Sequence, residues 1–202
     1  MILAIDTSTG ACSVALFGAE GALVGEAHEL IGRGHAEKLV PMIEAVIGNH
    51  IPSEILVGVG PGSFTGIRVG IAAAQGMAIG WGVPIRGLSS LALIAAAAEE
   101  GETVAAAMVG GHGELFVQEF TRPKLHEIGQ HESLSPPLAA RCVKAPLVLG
   151  PAAERLVEER RTGHAIVCHP RAAHALRLPH ALRTLEPKPL YGRPPDAKPK
   201  AA

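Results

Sequence analysis

Asp6 is one of only two aspartates in the chain, the other being Asp196, and it is followed directly by Thr7 and Ser8. A carboxyl beside two hydroxyls at the end of an apolar run can face phosphate and metal. The same three residues can equally close their own turn by hydrogen bonds. A nuclease centre built on paired metals needs two or three carboxylates, and one is offered here. A second candidate is the loop "GVGPGSFTGIRVG" at residues 58–70. It lacks the lysine of a Walker loop. Gly60 and Gly62 open a dinucleotide fingerprint, but Thr65 takes its third place and Gly66 follows one residue late. Ser63 stands in "PGSFTG", which is not an esterase elbow. What remains is general: Ser63 or Thr65 caps a helix whose free amides either attract an anion or simply start the helix. Among the ten histidines, His164, His169, His174 and His180 gather loosely around Cys168 with spacings that fit neither a zinc finger nor H-E-x-x-H. No serine, histidine and acid trio can be named from spacing, and no metal site is expected.

The elements that carry these residues follow from periodicity. "ILAID", "CSVALFG" and "ALVGEAHEL" read as three strands joined by short turns, hence antiparallel neighbours. "GHAEKLVPMIEAVIG" has Leu39, Val40, Ile43, Val46 and Ile47 at helical spacing, with Pro41 predicting a kink or an early first turn. "ILVGVG" is a buried-type strand, Ile67 to Gly80 a helix, "VPIRGLSS" a strand and turn, and "SLALIAAAAEE" an alanine-rich helix capped by Ser89 or Ser90. In the second half, "VAAAMVGG" with "GELFVQEF" forms a strand pair, "KLHEIGQHESL" alternates roughly, and "APLVLG", "PAAERLVEERR" and "AIVCH" read as strand, helix, strand. "RAAHALRLPHALRTL" reads as helical with Pro179 interrupting, and the tail is rich in proline and lysine. The order of the first half is that of the ribonuclease-H-like lobe shared with actin-type ATPases. The expected organisation is a first lobe at 1–100, a smaller α/β lobe at 101–185 and a tail at 186–202. No internal repeat stands out.

On the 67–80 helix, Gly66, Gly70, Ala73, Met77 and Gly80 fall in one arc, and Ile67, Ile71, Ala74 and Ala78 in the next. Each interior glycine costs about 1 kcal/mol relative to alanine. Close approach of another backbone would offset that cost. One face then covers the sheet while the glycine stripe meets a second helix, in this chain or another. A helix buried entirely within its own domain gives the same pattern.

Bulk properties narrow the function. The formal net charge is −1 and aromatic residues make up 3%. There is therefore no electrostatic draw toward RNA or an anionic membrane, and no set of stacking rings for single strands. The start has no basic region ahead of its apolar run, and no stretch is long enough to span a bilayer. Three widely spaced cysteines fit reduced thiols in a cytoplasm.

The runs "MILAIDTSTGACSVAL", "GHAEKLVPMIEAVI" and "GVGPGSFTGIRVGIAAAQGMAIGWGVPIRGLSSLALIA", with "YGRPPDAK" in the tail, resemble the TsaB family, formerly called YeaZ. The resemblance is strong over about the first hundred residues and thin beyond. It implies an actin-like ATPase fold in two lobes, the second reduced, and a role in forming N6-threonylcarbamoyladenosine in tRNA. It further implies a non-catalytic paralogue of TsaD that docks on a TsaD-like catalytic subunit, with a TsaE-like ATPase joining them. ATP and metal are then expected on the partner subunits, tRNA is met only through the complex, and the chain alone forms a homodimer. Pairing through the helices of the first lobe makes Leu39, Ile43, Gly66, Gly70, Ala73 and Met77 the expected interface. TsaD-like chains carry two metal-binding histidines after the strand corresponding to "VPIRGLSS"; here Ser90 and Ile94 stand in those places. "MVGGHGEL" keeps Gly113 and Glu114 but lacks the family's Asp-Ala-Arg stretch. The rival expectation is a nucleotide-hydrolysing enzyme that uses Asp6, Thr7, Ser8, Ser63 and Thr65. A peptidase is a further rival, set back by the missing nucleophile trio and metal ligands.

Overall fold

The computed structural model describes residues 1–190. The chain opens with β1 (Ile2–Asp6) and β2 (Ala11–Phe17), both almost wholly buried, paired antiparallel from Ile2 opposite Phe17 to Asp6 opposite Ser13. An edge strand, β3 (Leu23–Leu30), pairs antiparallel with β2. After α1 (His35–Ile47), the strand β4 (Glu54–Gly60) lies parallel to β1. After α2 (Phe64–Trp81), β5 (Ile85–Ser89) lies parallel to β4. The sheet order is β3-β2-β1-β4-β5, the mixed arrangement expected from the tight early turns and the later helical crossovers.

The two long helices cover one face of this sheet. Leu39, Met42, Ile43 and Ile47 of α1 and Ile67, Ile71, Ala74 and Ala78 of α2 pack with Leu3, Ile5, Val14, Val57 and other inward residues of the strands. Burying a leucine or isoleucine side chain contributes about 1.5–3 kcal/mol, enough for these stripes to fix both helices. Pro41 does not interrupt α1; it sits on the exposed side of a continuous helix. Ser63 caps α2, its hydroxyl accepting from Gly66 N at 3.2 Å.

The other face of the sheet meets α3 (Ser90–Ala95), every residue of which is buried. The alanine-rich helix expected through Glu100 therefore ends five residues early. Ser89 caps it, accepting from Ala92 N at 3.2 Å. An apolar layer from both lobes, including Leu56, Leu91, Leu93, Val104, Phe116 and Phe120, packs around α3 and fuses the lobes into one core.

The second lobe repeats the first. It contains β6 (Thr103–Val109), β7 (Leu115–Thr121), β8 (His126–Leu134), α4 (Pro136–Cys142), β9 (Leu147–Leu149), α5 (Ala153–Arg160) and β10 (His164–Ile166). Its order, β10-β9-β6-β7-β8, is the first sheet's order read from the opposite edge, with the antiparallel and parallel pairings in the same places. A repeat absent from the sequence is present in the topology. The lobe is reduced in its helices and in the three-residue strands β9 and β10, not in strand number.

Two expectations about the C-terminal part need correcting. Residues 172–182 form short 3-10 turns, Ala172–Arg177 and His180–Leu182, rather than a helix broken at Pro179. The chain also does not stay with the second lobe to residue 185. Ala172 N donates to Ser13 Oγ at 2.9 Å, Leu185 exchanges two backbone hydrogen bonds with Gly87, and Leu190 N donates to the Val59 carbonyl at 2.8 Å. Residues 172–190 thus return to the first lobe. The rest of the expected tail, 191–202, lies outside the described residues.

Candidate functional site

The end of β1, the glycine loop and the start of α3 converge on Asp6. Its carboxylate is 1% exposed. Oδ1 accepts from Ser8 N at 2.9 Å and from Ser8 Oγ at 2.7 Å, and Oδ2 accepts from Ser90 Oγ at 2.7 Å. Gly58 of β4 passes so close that a Cβ there would overlap Asp6 Oδ2. Burial pushes the Asp6 carboxyl above the ordinary carboxylate range, against the pull of Ser90, Ser8 and the more distant His35. The carboxylate is therefore held by its own chain on both oxygens. It closes its turn and clamps β1 to α3.

The neighbouring hydroxyls are engaged in the same way. Thr7 Oγ1 donates to the Gly66 carbonyl at 2.7 Å, and Ser63 N donates to the Ser8 carbonyl at 2.7 Å. The glycine loop is thus fastened to the Asp6–Ser8 turn. Thr9 Oγ1 lies 3.0 Å from His169 Nδ1, a contact across 160 positions of sequence. Burial lowers the His169 imidazole below the ordinary histidine range. Ser63 and Thr65 are exposed at the mouth of the loop, whereas Asp6, Thr7 and Ser8 are sealed beneath it. Of these five expected ligand residues only Ser63 and Thr65, the loop hydroxyls, face solvent. Among the described residues no group of three or more histidine, cysteine or acidic side chains is arranged to hold a metal ion.

Ser90 and Gly58 are members of this constellation that sequence reasoning left without a role beside Asp6. Ser90 was legible only as a residue standing where a metal-binding histidine occurs in TsaD-like chains. Its hydroxyl instead donates to Asp6, 84 residues away. Ile94, in the second such place, is fully buried.

The expected interface set is divided by the structure. Leu39 and Ile43 are 1% and 2% exposed and belong to the first-lobe core. Gly66 and Gly70 are also buried, and the group they meet is Thr7. A Cβ at Gly66 would overlap the Thr7 carbonyl, and one at Gly70 would overlap Thr7 Oγ1. The closeness that glycine allows is thus spent on the chain's own strand end, which corrects the expectation that these four residues face a second subunit. Ala73 and Met77 are half-buried at the margin. The outward side of α2 lies one step round the helix, at Ala72, Gln75, Gly76, Ile79 and Gly80. There Ile79 is 83% exposed, and neither Gly76 nor Gly80 has a neighbour within 4 Å of an added Cβ.

Comparison with known proteins places this architecture. The family described as "TsaD: tRNA N6-adenosine threonylcarbamoyltransferase" matches residues 25–171. A curated relative from Escherichia coli strain K12, the tRNA threonylcarbamoyladenosine biosynthesis protein TsaB, is 40% identical over 129 residues, covering 60% of this chain and 55% of the relative. The chain thus spans about half the length of that curated relative. The solved structure of YeaZ from Pseudomonas aeruginosa superposes with a TM-score of 0.74 at 30% identity, over 88% of this chain and 89% of that one. A second solved chain from that organism, described as an uncharacterized protein with similarity to peptidase YEAZ, gives a TM-score of 0.77 at 30% identity over 95% and 99%. The two five-stranded sheets are accordingly those of an actin-like, ribonuclease-H-like fold. The chain belongs to the TsaD-type threonylcarbamoyltransferase family, on its TsaB (YeaZ) side.

Proposed function

We propose that this chain is a non-catalytic subunit in the formation of N6-threonylcarbamoyladenosine in tRNA, and that it works by docking on a TsaD-like catalytic subunit. The observation that carries this reading is the outward side of α2. A helix whose inner side is locked into the core presents small and apolar residues, Ala72, Gly76, Ile79 and Gly80, to open space. Scattered exposed apolar residues are ordinary, but a small-residue face on a rigid helix lets a second helix approach closely. Ala73 and Met77 border that face. Leu39, Ile43, Gly66 and Gly70 support it from beneath, and α1, packed against α2, also carries exposed Val40.

The Asp6 constellation supports the non-catalytic part. A general base or metal ligand needs a carboxylate oxygen free to meet substrate, and Asp6 is buried, with Oδ1 bonded to Ser8 and Oδ2 to Ser90. In this reading ATP and metal are handled by the partners, a TsaD-like subunit and a TsaE-like ATPase. tRNA is reached through the assembled complex, and the isolated chain pairs with itself through the same face. No helix among the described residues is long and apolar enough to cross a membrane.

The test is reconstitution. Threonylcarbamoylation of tRNA by the TsaD-like and TsaE-like proteins of the same cell is measured with and without this chain. Restoration of activity on adding the chain, equally by wild type and by Asp6→Asn, is the expected result. Activity that is unchanged without the chain, or lost on Asp6→Asn in a folded protein, overturns the reading.

A further inference from the structure

The returning segment builds a second feature at the far end of the first lobe. Asp6 ends β1, while this feature lies at the strand's start, roughly 13 Å away at the usual rise per residue. It is an open cavity of about 1020 Å³ between the start of β1, the β2–β3 turn and residues 171–183. Arg171, Arg177 and Arg183 line it, against two carboxylates, Glu20 and Glu26.

The charges are not evenly matched. Arg171 is held by Glu26 at 2.7 Å. Arg177 spends one nitrogen on the Ala96 carbonyl at 3.3 Å. Arg183 Nε is sealed from solvent and has no hydrogen-bond partner. A guanidinium carries five N–H donors in a planar fork and cannot shed its proton. Arg177 and Arg183 therefore line the cavity with one remaining carboxylate, that of exposed Glu20. An oxyanion is the acceptor that matches a guanidinium fork. Leu23 and Leu176 add apolar wall beside the arginines, and the space suits a small molecule rather than a lone ion.

We propose that this pocket binds a small ligand carrying a di- or triphosphate group, with Arg177 and Arg183 clamping the phosphates. Four segments separated in sequence contribute to it, and its arginines are all supplied by the chain that folds back from the second lobe. This site is distinct from the Asp6 turn and independent of the docking face on α2.

The experiment titrates the full chain calorimetrically with tripolyphosphate and, separately, with magnesium-free ATP at low ionic strength. Saturable binding of both at one site is expected, weakened at least about tenfold by Arg183→Gln and severalfold by Arg177→Gln. Added salt should weaken it in parallel. Tighter binding of ATP than of tripolyphosphate would show the base resting on Leu23 and Leu176, whereas equal binding would show the phosphates alone recognised. Arg177 is exposed, so Arg177→Gln reports even where Arg183→Gln disturbs folding. The proposal is overturned by absence of saturable binding, by binding that both variants retain in full, or by binding of a short RNA duplex with none of either small anion.

Discussion

Replacing Gly66 and Gly76 of the same helix by alanine should move stability in opposite directions. In α2 both are glycines in one 18-residue helix, so propensity alone favours alanine at each. At Gly76 a Cβ meets nothing within 4 Å, and the gain is about 0.5–1 kcal/mol. At Gly66 the Cβ would overlap the Thr7 carbonyl. That oxygen cannot easily retreat. Thr7 is fully buried, its Oγ1 donates to the Gly66 carbonyl at 2.7 Å, and the next carbonyl, Ser8, is held by Ser63 N at 2.7 Å. Overpacking costs about 1–3 kcal/mol, and a lost Thr7–Gly66 hydrogen bond adds about 1 kcal/mol. Set against the smaller propensity gain near the helix start, Gly66→Ala should be destabilised by about 2–3 kcal/mol net. For a chain of this length 1 kcal/mol corresponds to roughly 2–4 °C in Tm. Gly66→Ala should therefore melt roughly 5–10 °C below wild type, and Gly76→Ala about 2–3 °C above it. Urea unfolding followed by circular dichroism, at matched protein concentrations, measures both. A Gly66→Ala protein as stable as wild type would show that α2 is not seated on the Asp6 turn, and the argument from close approach would fail.

Other outcomes follow from the same contacts. Asp6→Asn should be neutral or stabilising at pH 7, because Ser8 N can still donate to the amide oxygen and the Ser90 hydroxyl can turn to accept. The raised Asp6 carboxyl contributes stability below the unfolded value near 4 that is lost as pH rises through the folded one; pH-dependent melting should show that loss in wild type and its absence in Asp6→Asn. His28, His169 and His174 are each held below the ordinary histidine range, first by burial. Their contribution is present above about pH 6.5 and lost as pH falls through the folded values, so acidification to about pH 5 should lower Tm, and a triple glutamine variant should flatten that slope. Burial, then the charges of Asp6 and Glu29, pushes the Cys12 thiol up to about 11, whereas Cys142 is exposed. Mass spectrometry after brief alkylation of the native chain should find Cys142 modified and Cys12 intact, and fast labelling of Cys12 would contradict its packing.

Local features of the first lobe were legible because they depend on neighbours in sequence. The alternating and apolar runs of β1 to β5, the Ser63 cap and the inward arc Ile67, Ile71, Ala74 and Ala78 all obey strand or helix periods. The purpose of Gly66 and Gly70 was not. A stripe of small residues on a helical wheel looks the same whether it meets another subunit or the chain's own strand end, and the Thr7 carbonyl decides between them. The Asp6–Ser90 hydrogen bond joins residues 84 apart, and the Gly87–Leu185 bridge joins residues still farther apart; no local period encodes either. In the second lobe β9 and β10 were legible as short apolar runs, but with three residues each they are too short to display a period that would fix their bounds. Its kinship with the first lobe lies in strand order, which sequence similarity does not record.

The measurement closest to the central claim is complex formation by Ile79→Glu with the TsaD-like protein of the same cell, followed by size exclusion with light scattering. Ile79 is 83% exposed and supports no core contact, so the variant should keep the wild-type melting temperature. The account predicts that it nevertheless elutes apart from the partner and fails to support tRNA threonylcarbamoylation. A heterodimer of undiminished stability and full activity with glutamate at that position would contradict it.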